Sequence, residues 1–206
     1  MSHKPRGYSS YSVSDFTCLT QLISFPSSNL TFCQKQEHIP ANTIHLWKTT
    51  NSHIMESLSP SPELEHIKSV WARMSGNSPI YDFLFGPSQE LQFLSASKGN
   101  FKCTLKLSPV HVNSRGTIHG SVSATIVDWA GGLAIATHGM DKSGVSVDIH
   151  VTYMSTAKAG DTVMIEGIAN KVGRNLAFTD VRIYKVEGEE VGGLVASATH
   201  TKFVRQ

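Results

Sequence analysis

The sequence predicts an α+β fold in which a curled antiparallel β-sheet wraps around one long buried central helix. Residues 118–138 are apolar on every side, which is typical of a helix that is buried all round. Residues 145–153, 162–172, 176–186 and 191–204 alternate apolar and polar side chains, as strands with one buried face do. Short turns join the last three segments, so these strands are expected to pair antiparallel.

The first predicted element is a helix that begins after Ser61. A serine is a common helix cap, Pro62 suits the first helical position, and Glu63 and Glu65 place acids in the first turn. Apolar side chains then recur at helical spacing, at Leu64, Ile67, Val70, Trp71 and Met74. This helix is therefore expected to lay one face on the core.

Two strands are predicted between this helix and the long one. Residues 101–107 alternate apolar and polar side chains, and a turn at 98–100 joins them to the expected partner strand, residues 90–97. The long helix is expected to end at Gly139. A single curled sheet cannot cover the whole of that helix, and it leaves its edge strands unpaired. Pairing with a second copy of the chain is therefore predicted.

The long helix carries a single charged residue. Asp128 is the only charge between Arg115 and Asp141, and the residues one helical turn away offer no cation. An ionised carboxylate without a partner is strongly unfavourable in an apolar environment. Two interpretations are therefore open: either another part of the fold supplies a partner, or Asp128 is a working group with a shifted pKa.

Composition divides the chain of 206 residues into an extension, residues 1–60, and a globular domain, residues 61–206. The extension is rich in Ser, Thr, Asn and His and poor in acids. It is either a low-complexity, disordered or loosely docked segment, or a targeting segment, although it lacks the arginines of a matrix-targeting sequence. An intracellular location is predicted, with the cytoplasm and the mitochondrion both open.

Several function classes are excluded. The formal net charge is +2 and no basic run is interleaved with aromatic residues, so no nucleic-acid partner is expected. Three widely spaced cysteines indicate neither a disulfide framework nor a zinc site, and the ten histidines show no metal-ligand spacing. No metal, cofactor or membrane span is predicted, because Asp128 and the pair Gly131–Gly132 interrupt the most apolar segment.

A series of motifs in chain order carries a family resemblance. The first is Asn113-x-x-Gly116-Thr117-x-His119-Gly120, with Asp128 downstream. The others are Gly144-Val145-Ser146-Val147-Asp148, Thr152-Tyr153-Met154-Ser155, Lys171-x-Gly173-Arg174, Leu176-Ala177-Phe178-Thr179 and His200-Thr201-Lys202. Residues 61–204 thus resemble the hotdog-fold acyl-CoA thioesterases, in the branch of the phenylacetate-pathway thioesterase and thioesterase superfamily member 2. Ser121 and Thr156 depart from the family pattern, in which Gly and Pro are common.

The resemblance implies a site shared by two subunits. Gly120 opens the long helix, where free amides and the macrodipole favour a developing oxyanion, although a glycine there also relieves crowding. Gly120 and Asp128 are eight positions apart, about 12 Å along a helix. They therefore cannot act on one thioester within one chain. The resemblance implies that Asp128, as general base or nucleophile, works with Gly120 of the partner in a homodimer, or in a dimer of dimers.

Other residues have both a functional and a structural interpretation. Asn113 either hydrogen-bonds water or substrate or holds the turn before Gly116. Relatives imply that Ser146 orients the attacking water, and His119 is expected to fix the loop geometry. Arg174 and Lys171 either bind coenzyme A phosphates or belong to a solvated turn. The last two residues assigned to coenzyme A binding are Tyr153 and Ser155.

The predicted function is hydrolysis of a fatty or aromatic acyl-CoA to the free acid and coenzyme A. Two alternatives stay open. A hydratase or dehydratase acting on acyl thioesters would carry a motif such as Asp-x-x-x-x-Pro-x-His, which this sequence lacks. A non-catalytic acyl-CoA-binding protein would be expected to have lost the acid at Asp128.

Overall fold

The structure, a computed structural model, describes residues 60–205. In chain order these residues form α1 (Pro62–Gly76), α2 (Pro79–Phe85), β1 (Leu91–Ser97), β2 (Asn100–Lys106), a 3₁₀ helix (Pro109–His111), α3 (Gly120–Ala136), β3 (Val145–Tyr153), β4 (Thr162–Val172), β5 (Leu176–Glu187) and β6 (Glu190–Phe203). The predicted extension, residues 1–60, lies outside the described residues except for Pro60. The boundary between 1–60 and 61–206 therefore stays a prediction.

The six strands form one antiparallel sheet in the order β1-β2-β4-β5-β6-β3. Tight turns connect β1 to β2, β4 to β5 and β5 to β6, so these neighbours pair as hairpins. Strand β3 is not paired with β4, which follows it in the chain, but with β6. It therefore lies at one edge of the sheet, and β1 lies at the other.

Helix α3 is the centre of the core. Its side chains from Ile126 to Ala136 are buried with few exceptions, and it contacts β2 through β6. Trp71 of α1 packs on Trp129 of α3 with ring centroids 5.0 Å apart, so α1 covers a side that the sheet leaves open. The predicted buried central helix and curled antiparallel sheet are confirmed. None of the helices within residues 60–205 combines the length and the apolar character that crossing a membrane requires.

Two adjacent glycines let α3 approach its neighbours closely. A Cβ atom on Gly131 would lie 2.7 Å from His200 Nδ1 and 2.8 Å from Thr179 Oγ1. A Cβ atom on Gly132 would lie 2.6 Å from Ser143 Cβ. All three distances are shorter than a Cβ atom tolerates, so the pair serves close packing of the helix.

The ends of the long helix differ from the prediction. It begins at Gly120 rather than Ile118, because the Ile118 N–H donates to the Ala157 carbonyl oxygen (2.8 Å) in an extended bridge. It ends at Ala136, ahead of Gly139, whose φ of 82° is the left-handed conformation that stops a helix. The strands lie where they were predicted, and no strand end differs from the prediction by more than one residue.

Helix α2 was not predicted. Its seven residues, Pro79–Phe85, complete fewer than two turns, so no apolar period can be recognised in the sequence. Ser78 and Pro79 begin it, and Gly86 ends it. The helix matters for function because it carries one side chain to Asp128.

The free edge of β3 is apolar and exposed. Within residues 60–205, β6 is the only strand that pairs with β3, so its outer row of backbone groups is unpaired. Val145 is 70% exposed and Val147 is 60% exposed, and Tyr153 at the other end of the strand is also exposed. A long apolar edge strand is a site for pairing with another chain.

Candidate active site

Four polar side chains from three elements converge on Asp128. Its Oδ1 accepts hydrogen bonds from Ser146 Oγ of β3 (2.8 Å) and Lys202 Nζ of β6 (2.9 Å). Its Oδ2 accepts a hydrogen bond from the Tyr81 hydroxyl of α2 (2.6 Å). His200 of β6 completes the group, with Nε2 3.8 Å from Asp128 Oδ1. Asp128 therefore does have a cation, and the partner comes from a strand 74 residues further along the chain.

The surroundings keep Asp128 ionised. Burial by itself would raise the pKa of this carboxyl, but the hydrogen bond from Tyr81, the charge and hydrogen bond of Lys202 and the hydrogen bond from Ser146 outweigh it. Together they lower the pKa of Asp128 to about 2. The group is therefore a carboxylate throughout the neutral pH range.

His200 is a neutral member of the cluster. Burial, followed by the charge of Lys202, lowers its pKa to about 4, against a smaller opposing effect of Asp128. Its Nδ1 lies 3.3 Å from the Val127 carbonyl oxygen, which can only accept, so the ring proton belongs on Nδ1. The other nitrogen, Nε2, then carries no proton and lies 3.1 Å from Ser146 Oγ, whose single hydroxyl proton is donated to Asp128. His200 thus packs against Ser146 and Asp128 without donating a proton to either.

The first turn of α3 presents an unpaired amide. His119 caps the helix, with Nδ1 accepting from the Ser121 N–H (3.1 Å). Within residues 60–205, the Gly120 N–H donates to no protein acceptor. The Tyr153 hydroxyl donates to the Gly120 carbonyl oxygen (3.0 Å). Its ring lies on the side of Gly120 where another residue would carry its Cβ atom. A free N–H at a helix start is an arrangement that binds a developing negative charge.

An open cavity of about 520 Å³ adjoins Asp128. It lies between α2, α3 and the free edge strand β3, and its wall combines apolar and polar groups. The lining residues are Ser78, Ile80, Tyr81, Ala124, Thr125, Asp128, Ser146 and Ile149. A largely apolar cavity with a few convergent polar groups and a residue of shifted pKa is the usual form of a substrate site.

Comparison with known proteins places the chain in a family. The profile of the Thioesterase superfamily matches residues 115–192, which include Gly120, Asp128 and Ser146. Human acyl-coenzyme A thioesterase 13 is 37% identical over 113 residues, which are 55% of this chain and 79% of the relative. The chain belongs to the thioesterase superfamily.

Solved structures agree with this membership. Zebrafish thioesterase superfamily member 2 superposes with a TM-score of 0.60 at 35% identity, covering 69% of this chain and 99% of that one. A hypothetical thioesterase from Streptococcus pneumoniae, solved with coenzyme A, superposes with a TM-score of 0.51 at 28% identity, covering 57% and 89%. The hotdog fold and the enzyme class of thioester hydrolase, both predicted from the motifs, are confirmed.

Asn113 and His119 have structural partners in this thioesterase. The Asn113 side chain accepts from the Arg115 N–H (2.9 Å) and donates to Thr117 Oγ1 (3.0 Å), which holds the turn around Gly116. His119 is the helix cap. The turn-holding interpretation of Asn113 is thus the one that this geometry supports, and contact of either residue with substrate stays a prediction.

The residues assigned to coenzyme A lie at two places. Lys171 and Arg174 flank the β4–β5 turn. In that turn the Asn175 carbonyl oxygen accepts a hydrogen bond from the Val204 N–H (2.8 Å), so the turn lies next to the end of β6 that carries Lys202. Ser155 donates to the Leu194 carbonyl oxygen (2.8 Å). Their role in binding coenzyme A stays a prediction.

Three members of the cluster were not identified as site residues from the sequence. Tyr81 is on the short helix that has no recognisable period, and it precedes Asp128 by 47 positions. His200 and Lys202 were noted only as part of a family motif. The sequence did contain a signal for His200 and Lys202. Alternate residues of β6 face the core, and both residues occupy core-facing positions, where a polar side chain requires a buried partner.

Proposed function

We propose that this thioesterase hydrolyses acyl-CoA and that Asp128 supplies the base or nucleophile of the reaction. The observation that carries the proposal is the ionised Asp128 carboxylate in the wall of the 520 Å³ cavity, held by Lys202, Tyr81 and Ser146. The name of the human relative and the coenzyme A in the streptococcal neighbour support this substrate class.

The proposed reaction uses one water molecule. Asp128 takes a proton from water as the water oxygen bonds to the thioester carbonyl carbon. The carbonyl oxygen gains negative charge, and the free Gly120 N–H at a helix start stabilises it. When the carbon–sulfur bond breaks, the coenzyme A thiolate takes the proton from Asp128. Ser146 is hydrogen-bonded to Asp128, and its role in the proposed reaction is to orient the water.

The Gly120 amide in this scheme belongs to a partner subunit. Near one end of strand β3, Ser146 contacts Asp128. At the other end of the strand, Tyr153 contacts Gly120. If the free edge of β3 pairs antiparallel with the same edge of a second copy, the strand direction reverses at the interface. The partner's Gly120 then lies near Asp128. The exposed apolar side chains Val145 and Val147 favour this pairing.

Coenzyme A binding is assigned to exposed groups around the site. Arg174 is proposed to pair with its phosphates, with Lys171 as a second cation, because guanidinium and ammonium groups are the usual phosphate partners. Tyr153, next to Gly120, and Ser155 are proposed to line the path of the carrier.

The decisive experiment is release of free thiol from a panel of fatty and aromatic acyl-CoAs. We expect wild-type turnover, and we expect Asp128→Asn to keep the fold while kcat falls roughly 10²- to 10⁴-fold, the range for removal of a general base. Asp180→Asn on β5 is the matched control and should retain wild-type activity. Binding of acyl-CoA without thiol release would contradict hydrolysis, and full activity of Asp128→Asn would contradict the residue assignment.

A further inference from the structure

The two oxygens of Asp128 are not equivalent. A carboxylate has about four lone-pair sites, two on each oxygen. Oδ1 accepts from both Ser146 Oγ and Lys202 Nζ, which occupies its two sites. Oδ2 accepts from the Tyr81 hydroxyl, and it makes no second hydrogen bond within residues 60–205. One acceptor site of the carboxylate is therefore open, and it is on the oxygen that Tyr81 contacts.

Tyr81 is held where its hydroxyl donates to Asp128. Its ring packs against Trp71 of α1 with centroids 6.0 Å apart. Burial raises the pKa of its hydroxyl above the usual range, and the hydrogen bond to Asp128 raises it further, so the proton stays on Tyr81. The hydroxyl thus donates one short, charge-assisted hydrogen bond to Oδ2.

The helix that carries Tyr81 is tied to the turn that leads into α3. His111 Nε2 contacts the Leu84 carbonyl oxygen in α2, and the Ser108 N–H donates to His111 Nδ1 (2.9 Å). The His119 N–H then donates to the His111 carbonyl oxygen (2.9 Å), one residue before Gly120. This buried histidine therefore limits the movement of α2 and of the tyrosine on it.

We propose that Tyr81 is a positioning residue of the thioesterase reaction. Its hydroxyl fixes the plane of the Asp128 carboxylate so that the open site of Oδ2 faces the cavity and takes the proton of the attacking water. Oδ2 is then the working oxygen, and Ser146 with Lys202 hold Oδ1 as the anchor. This inference rests on the proposed function, because it specifies how Asp128 performs its role.

A double-mutant cycle tests the inference. We compare Tyr81→Phe, Asp128→Asn and the double variant by acyl-CoA hydrolysis, with folding checked by circular dichroism and thermal unfolding. Tyr81→Phe keeps the ring against Trp71 and removes only the hydroxyl. Tyr184→Phe, which removes the hydroxyl of a half-buried tyrosine on β5, is the matched control and should behave as wild type.

We expect Tyr81→Phe to lower kcat about 10-fold, within the cost of misplacing a reacting group, and to leave KM within about twofold. In the Asp128→Asn background the same change should alter kcat less than about twofold, because the two residues act as one unit. An equal loss in both backgrounds, an effect on KM alone, or an unchanged or higher kcat would overturn the role of Tyr81. Those results leave the proposed function intact, whereas an inactive wild type contradicts the proposed function itself.

Discussion

Asp128 combines a low pKa with a reactive role, and the reason lies in its individual contacts. Tyr81, Ser146 and Lys202 donate hydrogen bonds to its two carboxylate oxygens. The Lys202 donor is a nearly fully buried cation. Breaking a buried pair by removing one partner is costly, because the other charge stays behind unpaired. Removing one member of the cluster is therefore expected to destabilise the protein, and the intact cluster keeps Asp128 in its charged form at neutral pH.

The neutral His200 predicts how stability depends on pH. Its pKa of about 4 lies below the usual 6.5, so the unfolded chain binds a proton that the folded chain excludes. Stability should therefore fall as pH drops from about 6.5 to 4, by up to roughly 3 kcal/mol from this residue. Burial also lowers the pKa of His111, which acts in the same direction. The contribution of Asp128 is lost only below about pH 4, as pH falls towards its pKa of about 2.

Denaturant unfolding at pH 7, 5.5 and 4.5, at constant protein concentration, measures this dependence. His200→Asn should remove most of the loss between pH 7 and 4.5. An unaltered pH dependence in His200→Asn would exclude His200 as its source.

At the scale of elements, the distance between α3 and the sheet determines whether the cluster can form. Residues 127 and 128 of α3 must approach β6 closely enough for His200 to reach the Val127 carbonyl oxygen and for Lys202 to reach Asp128. Gly131, one turn later, lies against His200 and Thr179 and has no space for a side chain. The glycine thus sets the approach of the helix to the sheet.

Gly131→Ala should lower the free energy of unfolding by about 1–2 kcal/mol, because the cost of overpacking exceeds the helix propensity that alanine gains. Gly76→Ala, at the end of α1, is the matched control, because a Cβ there meets no atom within 4 Å. That variant should be neutral or slightly more stable. A Gly131→Ala protein as stable as wild type in denaturant unfolding would show that α3 can move away from β6 without cost.

At the scale of the whole molecule, one chain offers two incomplete halves of a site. Asp128 and the Gly120 N–H are both present, but they lie eight positions apart on one rigid helix, about 12 Å. The unpaired edge of β3 provides a surface through which a second copy can bring the missing half. The proposed dimer therefore contains two sites, each built from both subunits.

Complementation of two inactive variants tests the shared site. Gly120→Pro removes the N–H at the first helical position, where proline is tolerated, and Gly120→Ala is the control that retains the N–H. Gly120→Pro and Asp128→Asn, each inactive alone, should recover about a quarter of wild-type activity after unfolding and refolding together. Half of the dimers are then mixed, and each mixed dimer contains one intact site of two. No recovery from mixed dimers that are shown to form would contradict a site shared between subunits.

Most of the fold follows from local patterns in the sequence. The alternation in residues 145–153 and 162–172, the apolar run around Asp128 and the helix start at Ser61 each report which faces of an element are buried. Burial acts on every residue of an element, so the pattern repeats and can be recognised. The family motifs added the hotdog fold and the enzyme class.

The composition of the cluster around Asp128 was decided by tertiary structure alone. Tyr81 and Lys202 lie 47 and 74 positions from the acid, and only the register of β6 with β3 and the placement of α2 bring them together. The alternation of β6 shows that Lys202 points inward, but nothing in the sequence shows which residue it meets, because that depends on how distant segments pack. The sequence by itself therefore predicted a buried acid on a central helix. The folded chain decided which groups keep that acid charged and which of its oxygens is left open.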